Sequence, residues 1–485
     1  MKLIGLLSNN LNQNNSAIIF KDDEITYQEL EDRIFSTMDA LLKLGIRKQN
    51  KAAILCENNL DYVVLIFSLW RIGAVPVPIN VKLLPKEIEE LLRISSCKFL
   101  LTGEPFNGKI KLDNVIVSEI PAIDNKPDFR HKEDIEFNII NTAVIIFTSG
   151  STGTPKGVKL SFNNLVQSAI TGDKIFNHLP NDRWLASLPF YHVGGFSIIT
   201  RCFFYGASLI IPDTLEIEKL ELAIRKHKPT LTSFVSTQLK RLLESGIIPS
   251  TELRHILLGG GFIDPYLVET AISKGWSVSK SYGTSETSSF VTALTSEDFK
   301  MKPGSAGKPI PPNQIIIVDG NRSPLPPMTS GEVAVKAQSV AKGYIDNEEE
   351  SKKKFRKDIF YSGDYGYIDE DGYLFIEARR NDLIVSGGEN INPTEIEREI
   401  LKHQSIEEIC VIGIEDEEWG QAVAAVIVLK NNSNISLIEL KEFLKDKLPG
   451  YKQPKKIFIL EQLPKTELGK VQKEKIREII KEIKS

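Results

Sequence analysis

Phe147-Thr148-Ser149-Gly150-Ser151-Thr152-Gly153-Thr154-Pro155-Lys156-Gly157 is the stretch around which the chain is organised. The apolar run of residues 143–147 leading into it reads as a buried strand. Glycines let a backbone bend tightly and bring its N–H groups close to an anion. The hydroxyls of Thr148, Ser149, Ser151 and Thr152 add donors, and Lys156 adds a mobile positive charge. This is the chemistry of a polyphosphate cradle. It is not the G-x-x-x-x-G-K-[ST] loop, because Gly157 follows Lys156 where Ser or Thr would stand. The plain alternative is an ordinary Ser/Gly surface loop.

Residues 148–157 resemble the phosphate loop of the acyl-adenylate-forming superfamily, which includes acyl-CoA synthetases, luciferases and peptide-synthetase adenylation domains. Three further stretches carry the resemblance along the chain. Ser281-Tyr282-Gly283-Thr284-Ser285-Glu286 resembles the superfamily's Tyr-Gly-x-Thr-Glu motif, with Ser285 standing where Thr is usual. Tyr361-Ser362-Gly363-Asp364 resembles the motif whose Asp holds the ribose hydroxyls. Pro464-Lys465-Thr466-Glu467-Leu468-Gly469-Lys470 resembles the Pro-x-x-x-x-Gly-Lys motif that carries a catalytic lysine.

Composition sets outer bounds. At 485 residues the chain exceeds one ordinary core, and a length prior gives two to four domains. A hydrophobic share of 41% beside 26% charged residues is that of a soluble globular protein. A formal net charge of −4 gives no electrostatic case for nucleic acid or an anionic membrane. The longest apolar stretch, residues 62–70, is too short for a membrane span. The apolar start, residues 1–7, lacks a full signal-peptide core and reads as the beginning of a helix; the Asn-rich residues 8–15 read as a loop. Cys56, Cys97, Cys202 and Cys410 have no ligand-like spacing and suit core positions in a reducing cytoplasm.

Strands alternating with helices predict an α/β fold with a parallel sheet over residues 1–380. Residues 17–20 and 25–27 read as a hairpin with a Lys21-Asp22-Asp23-Glu24 turn. Thr26 with Glu29 reads as a capping box opening a helix. Residues 51–55 read as a strand and 59–72 as a helix ended by Gly73. Residues 183–188 read as a strand running into Pro189-Phe190-Tyr191-His192-Val193-Gly194-Gly195, and residues 232–235 as another. Residues 253–258 read as a strand before Gly259-Gly260-Gly261, which let the backbone lie against a flat ring; Asp264 excludes G-x-G-x-x-G.

From about residue 314 to 378, short strands at 315–318, 331–335 and 373–376 predict a small antiparallel β subdomain, with Asp369-Glu370-Asp371-Gly372 as a hairpin turn. Residues 381–485 read as a separate, smaller and mobile α+β domain. It has helices at 393–401, 437–448 and 471–483 and strands at 409–414, 423–429 and 457–460. Ile476, Ile479, Ile480 and Ile483 fall on one face of the last helix.

The resemblance implies roles, residue by residue. Thr148, Ser149, Gly150, Ser151, Thr152, Gly153 and Lys156 would serve the phosphates of ATP, and Glu286 would anchor Mg²⁺. Gly260, Gly261, Tyr282, Gly283 and Ser285 would border the adenine, and Asp364 and Arg379 would reach the ribose. Lys470 would bridge the substrate carboxylate and the α-phosphate. After adenylation the C-terminal domain would rotate about a hinge at Asn381, where Asp or Lys is usual. Ser386, Gly387, Gly388 and Glu389 would then line the coenzyme A passage. The segment 188–201, with residues 257–261, is most similar to the 2-succinylbenzoate–CoA ligase branch of menaquinone biosynthesis. His192, Gly194, Ser197, Arg201 and Gly259 would face that acid, His192 taking part in catalysis.

Read without the resemblance, His192 is better taken as a core histidine satisfied by a carbonyl, and Arg201 is equally a structural ion-pair partner. Three other functions stay open: a CoA ligase for a fatty or simple aromatic acid, a stand-alone amino-acid adenylation domain, and a non-catalytic binding protein. No acidic residue for an amino group stands out between Pro189 and Arg201, and Lys156, Glu286, Asp364, Arg379 and Lys470 occur together, which argues against the last two. The expected setting is a cytoplasmic enzyme acting on small molecules, with room for a homodimer.

Overall fold

Runs of apolar residues too short to cover themselves on both faces need helices above and below, and this governs the larger part of the fold. The computed structural model describes residues 14–112, 114–121, 138–148, 155–261, 263–379, 384–386, 389–391, 393–416, 420–430, 433–445, 447–466 and 469–484. Two compact units result: Met1–Ile315 with Val335–Tyr361, and Ile316–Ala334 with Ser362–Ser485.

The first unit holds a nine-stranded sheet. Six consecutive strands of it are parallel, in the order Val278–Thr284, His255–Leu258, Leu231–Phe234, Arg183–Leu185, Ser208–Ile211 and Ser16–Phe20. Antiparallel strands close both edges. A second, all-parallel sheet orders Val75–Pro78, Lys51–Leu55, Phe99–Thr102 and Ile116–Glu119. The α/β expectation is therefore met.

The predicted capping box closes: the Glu29 N–H donates to Thr26 Oγ1 at 3.2 Å and the Thr26 N–H to Glu29 Oε2 at 2.8 Å. The helix Leu60–Ile72 is buried nearly all round, as its largely apolar sequence requires, and stops at Gly73 with φ +77°. All four cysteines are buried, with no disulfide between them.

Several boundaries differ from the sequence expectation. Phe20 pairs with Asp23, so the first hairpin turns on Lys21 and Asp22 alone; two-residue turns match the strand twist best. The strand at 183 ends at Leu185, because the Ser187 N–H folds back onto the Leu185 carbonyl at 3.0 Å. The β subdomain contains a ten-residue strand, Ile359–Ile368, that the reading lacked. Ser362, Gly363, Asp364 and Gly366 are poor strand formers, and cross-strand pairing with Leu374–Arg379 overrides them. The acidic turn behaves as expected, with the Tyr373 N–H donating to Asp369 Oδ1 at 2.8 Å.

In the second unit, Ile406–Asp416 and Gly420–Leu429 pair antiparallel, and Lys456–Ile459 joins in parallel. Period-two alternation splits this sheet into two apolar faces. Val411, Val423, Ala425 and Ile427 pack with Ile396, Ile400, Leu440 and Leu444; Cys410, Ile412, Ala424 and Val426 pack with Leu463, Ile476 and Ile480. The final helix thus buries Ile476 and Ile480 as expected, whereas Ile483 in its last turn is 58% exposed.

Candidate functional site

The central stretch forms a hairpin. Thr142–Thr148 pairs antiparallel with Lys156–Ser161, Thr148 standing opposite Lys156. Residues 149–154 lie outside the described residues, so Ser149, Gly150, Ser151, Thr152 and Gly153 remain expectations. Lys156 is described, and its surroundings come from far along the chain. The segment after Gly343 lies against the strand Lys156–Ser161: the Ile345 N–H donates to the Gly157 carbonyl at 2.8 Å and the Lys159 N–H to the Gly343 carbonyl at 3.0 Å. This pairing carries Tyr344 and the short helix Glu348–Lys354 to the lysine. Lys156 Nζ then lies 2.7 Å from Glu350 Oε1 and 5.5 Å from the Tyr344 ring centroid.

Tyr344 also reaches the expected magnesium ligand. Its hydroxyl donates to Glu286 Oε1 at 2.9 Å, and the Ala341 N–H holds the Glu286 backbone carbonyl at 2.7 Å. Burial, then the Glu286 charge and hydrogen bond, push the Tyr344 phenol well above its ordinary range, so it keeps its proton. Burial would raise the Glu350 carboxyl, but the hydrogen bond and charge of Lys156, with Lys353 and Lys354, hold it below the usual value. Among the described residues Glu286 makes no ion pair, and its half-buried carboxylate suits a hard cation shared with phosphate oxygens.

The adenine candidates sit at the carboxyl ends of neighbouring parallel strands, where open α/β sheets bind ligands. Leu258 pairs with Lys280, so Gly259, Gly260 and Gly261 emerge beside Tyr282 and Gly283. Gly260 and Gly261 are exposed and Tyr282 half-buried. Ser285 and Glu286 follow in a single 3₁₀ turn, Ser285–Thr287.

The acyl candidates separate into two groups. His192 caps the helix Val193–Tyr205 with its backbone, and its half-buried ring lies 4.7 Å from that of Tyr191. Gly194 is half-buried beside it. Gly195 is held so close that a Cβ would lie 2.1 Å from the Pro189 carbonyl oxygen. Asn58 clamps the same segment, donating to the Leu188 carbonyl at 2.9 Å and accepting from the Phe190 N–H at 2.8 Å. Ser197 and Arg201 instead point into the protein. Ser197 donates to the Gly194 carbonyl at 2.9 Å. Arg201 is 1% exposed, donates to Ser168 Oγ at 3.3 Å and lies over the Phe290 ring at 4.7 Å. Among the described residues no carboxylate pairs with it, its Nε has no partner, and burial pushes its guanidinium down to about 9.

In the second unit, strand register sets Asp364 directly opposite Arg379. Ser362 Oγ donates to the Val333 carbonyl at 2.7 Å and accepts from the Asp364 N–H at 3.0 Å, which fixes the backbone of the buried Asp364. Ser386 pairs with Glu389 across a short hairpin; Gly387, Gly388 and Asn381 lie outside the described residues. Lys470 is exposed on a turn in which the Thr466 N–H donates to the Lys470 carbonyl at 2.8 Å. Gly469, at φ +73°, supplies the left-handed residue that turn needs.

Tyr344, Glu350 and Asn58 escaped the sequence reading. They stand at sequence separations of 58, 194 and 132 from the groups they touch, and no local pattern announces such contacts.

Two family models match the chain: AMP-binding enzyme over residues 8–345 and AMP-binding enzyme C-terminal domain over residues 395–470. A 2-succinylbenzoate–CoA ligase of Bacillus mycoides is 34% identical over 476 residues, covering 98% of this chain and 97% of the relative. The o-succinylbenzoate CoA synthetase (MenE) of Bacillus subtilis, solved with the acyl-adenylate OSB-AMP, superposes with a TM-score of 0.89 at 33% identity over 96% of both chains. ATP-bound MatB from Rhodopseudomonas palustris gives a TM-score of 0.90 at 28% identity over 100% of both chains. No helix among the described residues is long and apolar enough to cross a membrane. With both of its segments matched and its similarity running the full length, the chain belongs to the AMP-binding enzyme family, the acyl-adenylate-forming enzymes its motifs resemble.

Proposed function

We propose that the chain is an AMP-forming acid–CoA ligase that activates 2-succinylbenzoate through an acyl-adenylate, releasing pyrophosphate and then AMP. The observation that carries the adenylation chemistry is Tyr344, which joins Glu286 by a 2.9 Å hydrogen bond and packs its ring against Lys156, so one polar cluster borders the phosphate loop. The full-length likeness to 2-succinylbenzoate–CoA ligases supports the choice of acid.

Joining a carboxylate to the α-phosphorus of ATP brings two anions together, so the step depends on donors already in place. Lys156 takes the β- and γ-phosphates as a point charge. Glu286 would hold magnesium, which would screen the remaining phosphate charge. Gly260, Gly261 and Tyr282 give adenine a flat, open edge, while Asp364 and Arg379 accept and donate to the ribose diol. Lys470, exposed on its turn, neutralises the carboxylate and α-phosphate oxygens as they meet. His192, Gly194 and Gly259 border the acid, with Ser197 behind them. Arg201 serves its second carboxylate from within, because a buried guanidinium without a carboxylate partner is otherwise costly to keep.

For the thioester half-reaction, the segment beyond Asn381 turns to withdraw Lys470 and bring Ser386 and Glu389 to the coenzyme A thiol. The domain boundary for that motion is at residues 380–381. The setting is a cytoplasmic enzyme of small-molecule substrates, not of nucleic acid, as a monomer or homodimer. The test is pyrophosphate release over a panel of carboxylic acids, with and without CoA. Succinylbenzoate should be turned over fastest, with a CoA-dependent thioester product. Faster turnover of benzoate, a medium-chain fatty acid or an amino acid would overturn the choice of acid, and release with none of them would overturn the ligase reading.

A further inference from the structure

Of the three successive glutamates at the start of the helix Glu348–Lys354, Glu348 and Glu349 face solvent and only Glu350 turns inward. Its side chain is 20% exposed, that of Lys156 13%, and they meet at 2.7 Å. The pair is not an accident of a mobile surface. The Gly343–Ile345 backbone is pinned to the strand Lys156–Ser161 by hydrogen bonds of 2.8 and 3.0 Å, and the Glu350 N–H is held by Asn347 Oδ1 at 3.1 Å. Tyr344, between them in sequence, is tied to Glu286. The lysine expected to take the phosphates is therefore already occupied by a carboxylate on the same unit.

We infer that Glu350 is a built-in competitor of the triphosphate for Lys156. Resting on the adenylation reading above, this gives Glu350 a second effect: it takes Lys156 back when pyrophosphate leaves. When β- and γ-phosphates claim Lys156, Glu350 loses its principal partner and faces an anion of its own sign. Lys353, 3.9 Å from Glu350 Oε2, offsets only part of this. Both ATP and pyrophosphate bind more weakly than they would without Glu350, so pyrophosphate is released more readily. AMP, which lacks β- and γ-phosphates, is indifferent to it.

The variant Glu350→Gln keeps the size and removes the charge. Partly exposed pairs of this kind are worth little, so the KM for ATP should fall about two- to fivefold, and the inhibition constant of pyrophosphate by the same factor. Calorimetric titration of AMP should be unchanged, which a general disturbance of the fold would not leave so. In a Lys156→Met background, Glu350→Gln should no longer affect ATP or pyrophosphate. Weaker binding of both in Glu350→Gln would mean that Glu350 orients Lys156 rather than competes for it, and would overturn the inference. So would no change, or a shift in AMP equal to that in ATP. Unaltered ATP and pyrophosphate affinities in Lys156→Met would overturn it too, leaving the ligase reading intact. That reading falls only if none of the carboxylic acids elicits pyrophosphate release from the wild-type protein.

Discussion

Replacing Gly195 by alanine should damage the acyl site while replacing its neighbour Gly194 should not destabilise the protein. A Cβ at Gly195 would lie 2.1 Å from the Pro189 carbonyl oxygen and 2.7 Å from that of Leu188, both backbone atoms. A Cβ at Gly194 would meet only the tip of the Leu188 side chain, at 3.1 Å. Ordinary contact begins near 3.4 Å, so Gly195→Ala must drive the start of the helix Val193–Tyr205 from the Leu188–Pro189 turn by about 1 Å. Overpacking of this kind costs about 1–3 kcal/mol. It is set against a helix-propensity gain of about 1 kcal/mol for Gly→Ala, which Gly194→Ala would enjoy with little steric cost. The displaced residues include His192, whose N–H is held by the Pro189 carbonyl at 3.1 Å, and the Asn58 clamp on Phe190. A 1 Å misplacement can lower turnover about a hundredfold. The assay is denaturant unfolding beside steady-state pyrophosphate release. Gly195→Ala should unfold earlier and lose most of its kcat/KM for the acid, while the KM for ATP changes little. Wild-type stability and activity in Gly195→Ala would refute the reasoning.

Lys470→Ala should lower adenylate formation by at least about 10²-fold yet spare thioester formation from presynthesised acyl-adenylate; equal loss in both half-reactions would remove Lys470 from the role. Arg201→Met keeps the packing but deletes a buried charge, so stability at pH 7 should hold or rise while the KM for succinylbenzoate climbs tenfold or more and that for ATP does not; an unchanged acid KM would make Arg201 structural. Because burial lowers the Arg201 guanidinium to about 9 in the folded state, its cost to stability is full below that pH. That cost is relieved as pH rises from about 9 towards the unfolded value. The stability advantage of Arg201→Met should therefore be present at pH 7–8 and shrink above pH 9, read by urea unfolding. Trypsin should cut at Arg380 in the free enzyme, and a non-hydrolysable adenylate analogue should slow the cut; a rate indifferent to the analogue would argue against coupling of binding to rotation.

Local chemistry was legible where the signal is local. The capping box at Thr26, the stop at Gly73, the Asp369 turn and the buried cysteines follow from neighbours a few residues apart, and all are as read. The two faces of the C-terminal sheet follow from side chains that alternate along strands apolar at nearly every position. The strand Ile359–Ile368 was not legible, because Ser362, Gly363, Asp364 and Gly366 interrupt its β pattern and its partner strand imposes extension across them. The end of the strand at Leu185 likewise depends on Ser187 folding back.

The motifs carry the identity of each chemical group, since a glycine-hydroxyl loop, a carboxylate after Tyr-Gly and a lysine after Gly469 can be recognised in one dimension. Which groups meet is another matter. Asp364 opposes Arg379 because two strands pair in one register. Arg201 loses its water because a helix turns it into an aromatic core. Lys156 meets Glu350, and Tyr344 meets Glu286, because a segment nearly two hundred residues downstream adds itself to the strand after the phosphate loop. Sequence order sets side-chain chemistry and local propensity, but charges and hydrogen bonds act through space, and only the folded chain brings those distances down to about 3 Å.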